Sequence, residues 1–134
     1  MVLRVKTIFG EDLGIYHVKN SEEEYDLVYN YLGQDYDSIC LKSVPEFALF
    51  TGRHSTLENM SSIFGHSIDN PRDLLGLERR AEQYVCFRDE VCVYVTGLTV
   101  ATVAVINACH KLGVHLTLMH WDKDSQTYYP QEVY

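Results

Sequence analysis

The sequence contains no apolar run of the length, about eighteen residues or more, that a membrane-spanning helix requires. Its longest apolar window is broken by Asn107, His110 and Lys111. No membrane partner is expected. It also lacks any C-x-x-C pair. Cys40, Cys86, Cys92 and Cys109 fall singly on apolar segments, which points away from zinc and from a disulfide framework and toward small core residues in a reducing compartment. His17, His66, His110 and His115 show no ligand spacing, so neither a metal nor another cofactor is expected. Positive charge is scarce, with 11 Lys and Arg against 19 Asp and Glu and a formal charge of −8. Such a chain repels a polyanion at long range, and duplex nucleic acid is excluded as a partner. The opening residues "MVLRVKTIFGEDLG" have neither an apolar signal core nor a small-residue cleavage site, so a cytoplasmic location is expected.

What is present is an ordinary globular balance, 46% apolar and 22% charged over 134 residues, enough for one domain with a single core. "LRVKTIF", the turn "GEDLG" and "IYHVK" predict a hairpin. Ser21, three residues before Glu24, predicts a capping box opening a helix, "SEEEYDLVYNYLG", with Tyr25, Val28 and Leu32 inward. "PEFALFTGRHST" predicts a strand running into a weak helix, "STLENMSSIFG", after which "HSID" offers a short strand. Asn70 and Pro71 then open a helix with Leu74, Leu75, Leu77 and Ala81 on its apolar side. A strand over 91–96, a helix from Thr99 to Leu112 stopped by Gly113, the strand "VHLTLMHW" and a closing strand "TYYPQEVY" complete the chain. Val100, Thr102, Val103, Val105 and Ile106 favour strand by propensity, but the segment's length and Gly113 decide for helix. The expected fold class is α/β: a mostly parallel sheet with helices on both faces, an N-terminal hairpin-helix extension over 1–45, a core over 46–134 and a C-terminal antiparallel hairpin.

In open α/β sheets ligands bind outside the carboxyl ends of the strands. Two loops occupy that position. "TGRHS" sets Thr51 and Gly52 beside the guanidinium of Arg53, the imidazole of His54 and the hydroxyl of Ser55. "TGLT", Thr96, Gly97, Leu98 and Thr99, offers two hydroxyls and the amides of a helix start, where about half a positive charge resides. It is neither a P-loop nor a G-x-G-x-x-G turn, and a plain chain reversal remains the alternative reading. His54 can cap a neighbouring carbonyl or move a proton near neutral pH. His120 and Trp121 end the last long strand at the same edge, where Trp121 either stacks on a nucleobase or anchors the final hairpin.

"FALFTGRH", "VYVTGLTVATVAVINACHKLG" and "VHLTLMHWDKDSQTYYPQEV", taken in that order, resemble the small CRISPR-associated proteins with a CARF-like Rossmann fold, stand-alone ring nucleases among them. The likeness covers roughly Glu46 to Val133 and leaves the N-terminal segment unexplained. It implies a homodimer that binds a cyclic oligoadenylate across both copies of the strand-end loops. It also implies metal-independent cleavage, in which a ribose 2′-hydroxyl attacks the adjacent phosphate and leaves a 2′,3′-cyclic phosphate. On this sequence Thr51, Gly52, Thr96, Gly97 and Thr99 would then hold phosphate or ribose. Side-chain chemistry makes Arg53 the group that neutralises developing charge and His54 the general acid or base. Two alternatives stay open: a cyclic-nucleotide sensor or sponge that does not cleave, and a protein-interaction module whose acidic helix and tyrosines engage another protein.

Overall fold

The structure is a computed structural model that describes residues 1–51, 57 and 60–133. The chain divides into two compact units, Met1–Val44 and Pro45–Tyr134, each with its own sheet. No helix among the described residues is long and apolar enough to cross a membrane.

In the first unit β1 (Val2–Thr7) and β2 (Asp12–His17) form the expected antiparallel hairpin. A third strand, β3 (Ile39–Val44), pairs antiparallel with β1 on its other side, giving the order β2-β1-β3. The helix between them departs from expectation. α1 (Ser21–Asp26) is capped by Asn20, not Ser21: the Glu23 amide donates to Asn20 Oδ1 at 2.9 Å, and Glu23 Oε2 accepts from the Lys19 amide at 2.6 Å. The cap is therefore shifted by one residue, and the Glu23 carboxylate reaches past it to the preceding amide instead of closing the expected box on the cap itself. After Asp26 the helix widens into a π-turn over Leu27–Tyr31, where the Leu32 amide donates to the Leu27 carbonyl. One residue per turn too many rotates the stripe. Leu27 and Val28 are buried against Leu3, Val5 and Ile39, whereas Tyr25 faces solvent.

The second unit is built on β4 (Glu46–Ala48), β5 (Glu90–Tyr94), β6 (His115–Asp122) and β7 (Thr127–Glu132), in that spatial order. β4, β5 and β6 are parallel, and β7 returns antiparallel as the edge. The architecture is thus α/β with a mixed sheet flanked by helices. α2 (Leu74–Val85) and α3 (Thr99–Leu112) make the two crossovers. Both lie on one face, contrary to the expected placement on two. Leu77, Ala81 and Val85 of α2 share a core with Ala101, Ala104, Val105 and Ala108 of α3, over Val91 and Val93 of β5 and Leu116 and Leu118 of β6. Because the strands are laid down in sequence order, crossovers of one hand stack on one side. The opposite face carries Cys92, Tyr94, Thr117, Met119 and Tyr128, all buried as well.

Helix boundaries moved where caps competed. Asn70 holds only a turn, its Oδ1 accepting from the Arg72 amide, and Asp73 caps α2 by accepting from the Gly76 amide at 3.1 Å. Leu74 and Leu75 consequently lie on the exposed first turn, not in the core. Gly113 stops α3 as expected: at φ 68° its amide donates to the carbonyls of Cys109 and His110. His66–Asp69 form no strand. Of the expected helix over 55–65, residues 55, 56, 58 and 59 lie outside the described residues, while Ser61–Phe64 run alongside β4, with Ser62 bridging Ala48 in parallel.

The cysteines separate by environment. Burial pushes the Cys109 thiol up to about 11 and the Cys92 thiol higher still, with Glu46 adding to the latter. Cys40 is exposed. Since the thiolate is the reactive form, an aromatic disulfide reagent at pH 8 should modify Cys40 first and reach Cys92 and Cys109 only on unfolding. Simultaneous reaction of all four in native protein, followed by mass spectrometry, would contradict this assignment.

Candidate functional site

Parallel pairing of β4 with β5 sets Ala48 opposite Tyr94, and the Leu49 amide continues the ladder by donating to the Tyr94 carbonyl at 3.2 Å. One strand further, the Val95 amide donates to the Met119 carbonyl at 3.0 Å. The segments that begin at Thr51 and Thr96 therefore leave adjacent strands at the same end of the sheet, toward which His120 lies within β6. That is the carboxyl end of the strands, the end at which α/β folds bind ligands, although strands laid down in sequence order make no switch-point crevice there.

At the first strand end Thr51 is engaged structurally. Its amide donates to the Gly65 carbonyl at 2.8 Å, and its hydroxyl is hydrogen-bonded to that of Ser62 at 2.8 Å. These contacts tie the strand end to the 61–65 segment. Ser62 is a partner the sequence reading missed, since no local spacing connects positions eleven apart. Gly52, Arg53, His54 and Ser55 lie outside the described residues.

Gly97 has φ 140°, a conformation that L side chains rarely adopt, and this turns the chain from β5 into α3. The N-cap is Leu98, with φ −46°, and its side chain makes no capping hydrogen bond. Thr99 is the first helical residue and solvent-exposed, so it does not cap the helix. The start of a helix of 14 residues is thus left without a side-chain acceptor at its cap. There the partial positive charge of the peptide dipoles is least neutralised. Two residues before the cap sits Thr96, 5% exposed, whose Oγ1 is buried and has no hydrogen-bond partner among the described residues. A buried hydroxyl left unpaired costs about 1–3 kcal/mol.

Near this end β5 carries a second polar side chain. Tyr94 is fully buried and its hydroxyl donates to Glu46 Oε1 at 2.9 Å. Burial and the Glu46 carboxylate push the phenol far above its ordinary value, so Tyr94 remains a hydrogen-bond donor throughout the physiological range. A tyrosine in the otherwise apolar "VCVYV" was the available signal for this pair.

At the third strand end His120 and Trp121 project to opposite faces of the sheet, as successive strand residues must. His120 Nε2 lies 2.7 Å from Gln131 Oε1, and its ring lies 5.4 Å from that of Tyr129. Trp121 packs edge-on against Tyr128 at 4.9 Å, and Tyr128 in turn against Tyr94 at 4.7 Å. The two residues cannot sandwich one ligand from the same side. Arg80 lies over the Phe64 ring and Arg88 over that of Phe47, the latter before the opposite end of β5. Among the described residues no group of three or more metal-ligating side chains converges. Compared with protein-family models, with curated proteins and with solved structures, the chain has no match in any of the three.

Proposed function

We propose that the strand ends at Thr51 and Thr96 bind a small phosphorylated nucleotide, and that this ligand is a cyclic oligoadenylate. The observation that carries the reading is the pairing of a helix start without a side-chain cap with the buried, unpartnered hydroxyl of Thr96. The dipole end favours an anion, and the orphaned hydroxyl lacks the partner that a phosphate or ribose oxygen, or a water bridging to one, would supply. The choice of a cyclic oligoadenylate comes from the resemblance of 46–133 to the CARF-like ring nucleases. In the cleaving form of the proposal the ribose 2′-hydroxyl releases its proton to solvent as its oxygen bonds to the neighbouring phosphorus, and the bond from phosphorus to the 5′-oxygen breaks. The 5′-oxygen then takes a proton, leaving a 2′,3′-cyclic phosphate and a 5′-hydroxyl. His54 is the proposed proton donor and Arg53 the proposed counter-charge; a second copy of the chain completes the site around the ring.

Isothermal titration with cyclic tetra- and hexa-adenylate in the presence of EDTA tests binding, and mass spectrometry of the same samples tests cleavage. Saturable binding with linear products ending in a cyclic phosphate is expected. Binding with intact rings would assign the sensor or sponge reading instead. No binding of any ring size would remove the nucleotide reading altogether.

A further inference from the structure

The unit Met1–Val44 holds a cavity of about 540 Å³, formed where β2 runs into α1. Its origin is local. The Met1 and Val18 backbones clamp each other reciprocally, with the Val18 amide donating to the Met1 carbonyl at 2.8 Å and the Met1 amine to the Val18 carbonyl at 2.9 Å. The Asn20 cap then starts α1 beside the end of β2. The π-turn that follows begins at Leu27 and leaves Tyr31 81% exposed at the cavity wall. Such turns are uncommon and frequently mark functional positions.

The lining combines two chemistries. Val18 and Leu27 are buried apolar residues, and Tyr16 and Tyr31 supply aromatic rings. Glu23 and Asp26 add two carboxylates. Glu23 uses one oxygen to cap the chain at Lys19, and Asp26 makes one long contact, 3.5 Å, with Asn30; neither forms an ion pair among the described residues. His17 completes the wall. The surrounding chain is of one sign. Between Lys19 and Lys42 there is no Lys or Arg, whereas Glu22, Glu23, Glu24, Asp26, Asp35 and Asp37 all fall there.

We infer that this cavity is a docking site for a basic segment of a partner protein, and that it receives an arginine side chain. The planar guanidinium stacks on tyrosine faces and offers paired donors to carboxylates. Its aliphatic stem matches an apolar floor such as Val18 and Leu27 provide. A free polyamine would satisfy the carboxylates but has no flat group for the rings. The site belongs to the first unit alone and stands independently of the nucleotide proposal.

The test is a titration of the full-length, ¹⁵N-labelled protein with the blocked peptide acetyl-Gly-Arg-Gly-amide. The same peptide with Gln in place of Arg and spermidine are the comparison ligands. The amides of Val18, Glu23, Leu27 and Tyr31 should shift saturably with the arginine peptide. The Glu23→Gln/Asp26→Asn double variant should bind about fivefold or more weakly, having lost the charge-assisted contacts. Asp26→Asn alone, which disturbs only the long contact to Asn30, should weaken binding in the same direction and serves if the double variant fails to fold. Absence of saturable shifts, an equal response to the glutamine peptide, or unchanged affinity in Asp26→Asn would each overturn the proposal. Spermidine binding as tightly as the arginine peptide would also overturn it, in favour of a polyamine site.

Discussion

Thr96→Val should lower affinity for a cyclic oligoadenylate by at least about tenfold, the scale of one lost hydrogen bond to a charged group. At the same time it should leave the ligand-free protein as stable as before, or more stable. The two effects have one cause. Thr96 is 5% exposed and its hydroxyl has no partner among the described residues. Replacing it by a nearly isosteric methyl removes a desolvated polar atom, worth about 1 kcal/mol or more to the free fold. The residue also follows a β-strand, where valine is favoured. The same replacement takes away a group that a bound oxygen would use beside the start of α3. Thermal unfolding with and without ligand reads both effects. In ligand-free buffer the variant should melt at or above the parent; at saturating ligand the parent should gain the larger shift. A variant that melts lower without ligand would show that the hydroxyl is structural. Equal affinities for parent and variant would make "TGLT" an ordinary turn.

Leu77→Ala should cost about 3 kcal/mol of stability, whereas Leu74→Ala and Leu75→Ala should each stay within about 0.5 kcal/mol. The three leucines lie within four positions and carry the same side chain, so only burial distinguishes them. Leu77 is 3% exposed and belongs to the core shared by α2, α3 and the sheet; Leu74 and Leu75 are 60% and 58% exposed. Truncating Leu77 removes buried methyl groups and leaves a cavity beneath helices already packed through alanines, which have no side-chain length with which to fill it. Chemical denaturation of the three variants measures the contrast. Comparable losses at all three positions would mean that α2 starts earlier than Asp73 and turns a different face to the core.

The cap at Asp73 shows what was and was not legible. Asn70-Pro71 is a sound start signal, and reading the helix from there puts Leu74 inside. Asp73 competes three residues later, and its carboxylate accepts from the Gly76 amide. Which of two adequate caps is used depends on where the apolar stripe must land, and the sheet decides that. Ser21 and Asn20 repeat the case at α1, shifted by a single residue. The π-turn at Leu27–Tyr31 has no sequence mark at all, because its extra residue is accepted to bring Leu27 and Val28 together into the core of the first unit.

The stretch from β5 through α3 to β6 was readable because its signals are local. A short apolar run, a glycine needed at positive φ, an apolar segment of helical length and a left-handed glycine stop each act within a few residues. They fix the strand, the turn at Gly97 and the helix end at Gly113 with no help from the rest of the chain. The alternation that separates His120 from Trp121 is likewise a property of any strand. Tertiary structure alone decided the remainder. The pairing of β3 with β1, the hydrogen bond from Thr51 to Ser62, the Tyr94–Glu46 contact and the placement of both helices on one face all join residues distant in sequence. Such contacts depend on which surfaces remain to be buried once the local elements exist, and that quantity is a property of the assembled layers that no short window of sequence contains.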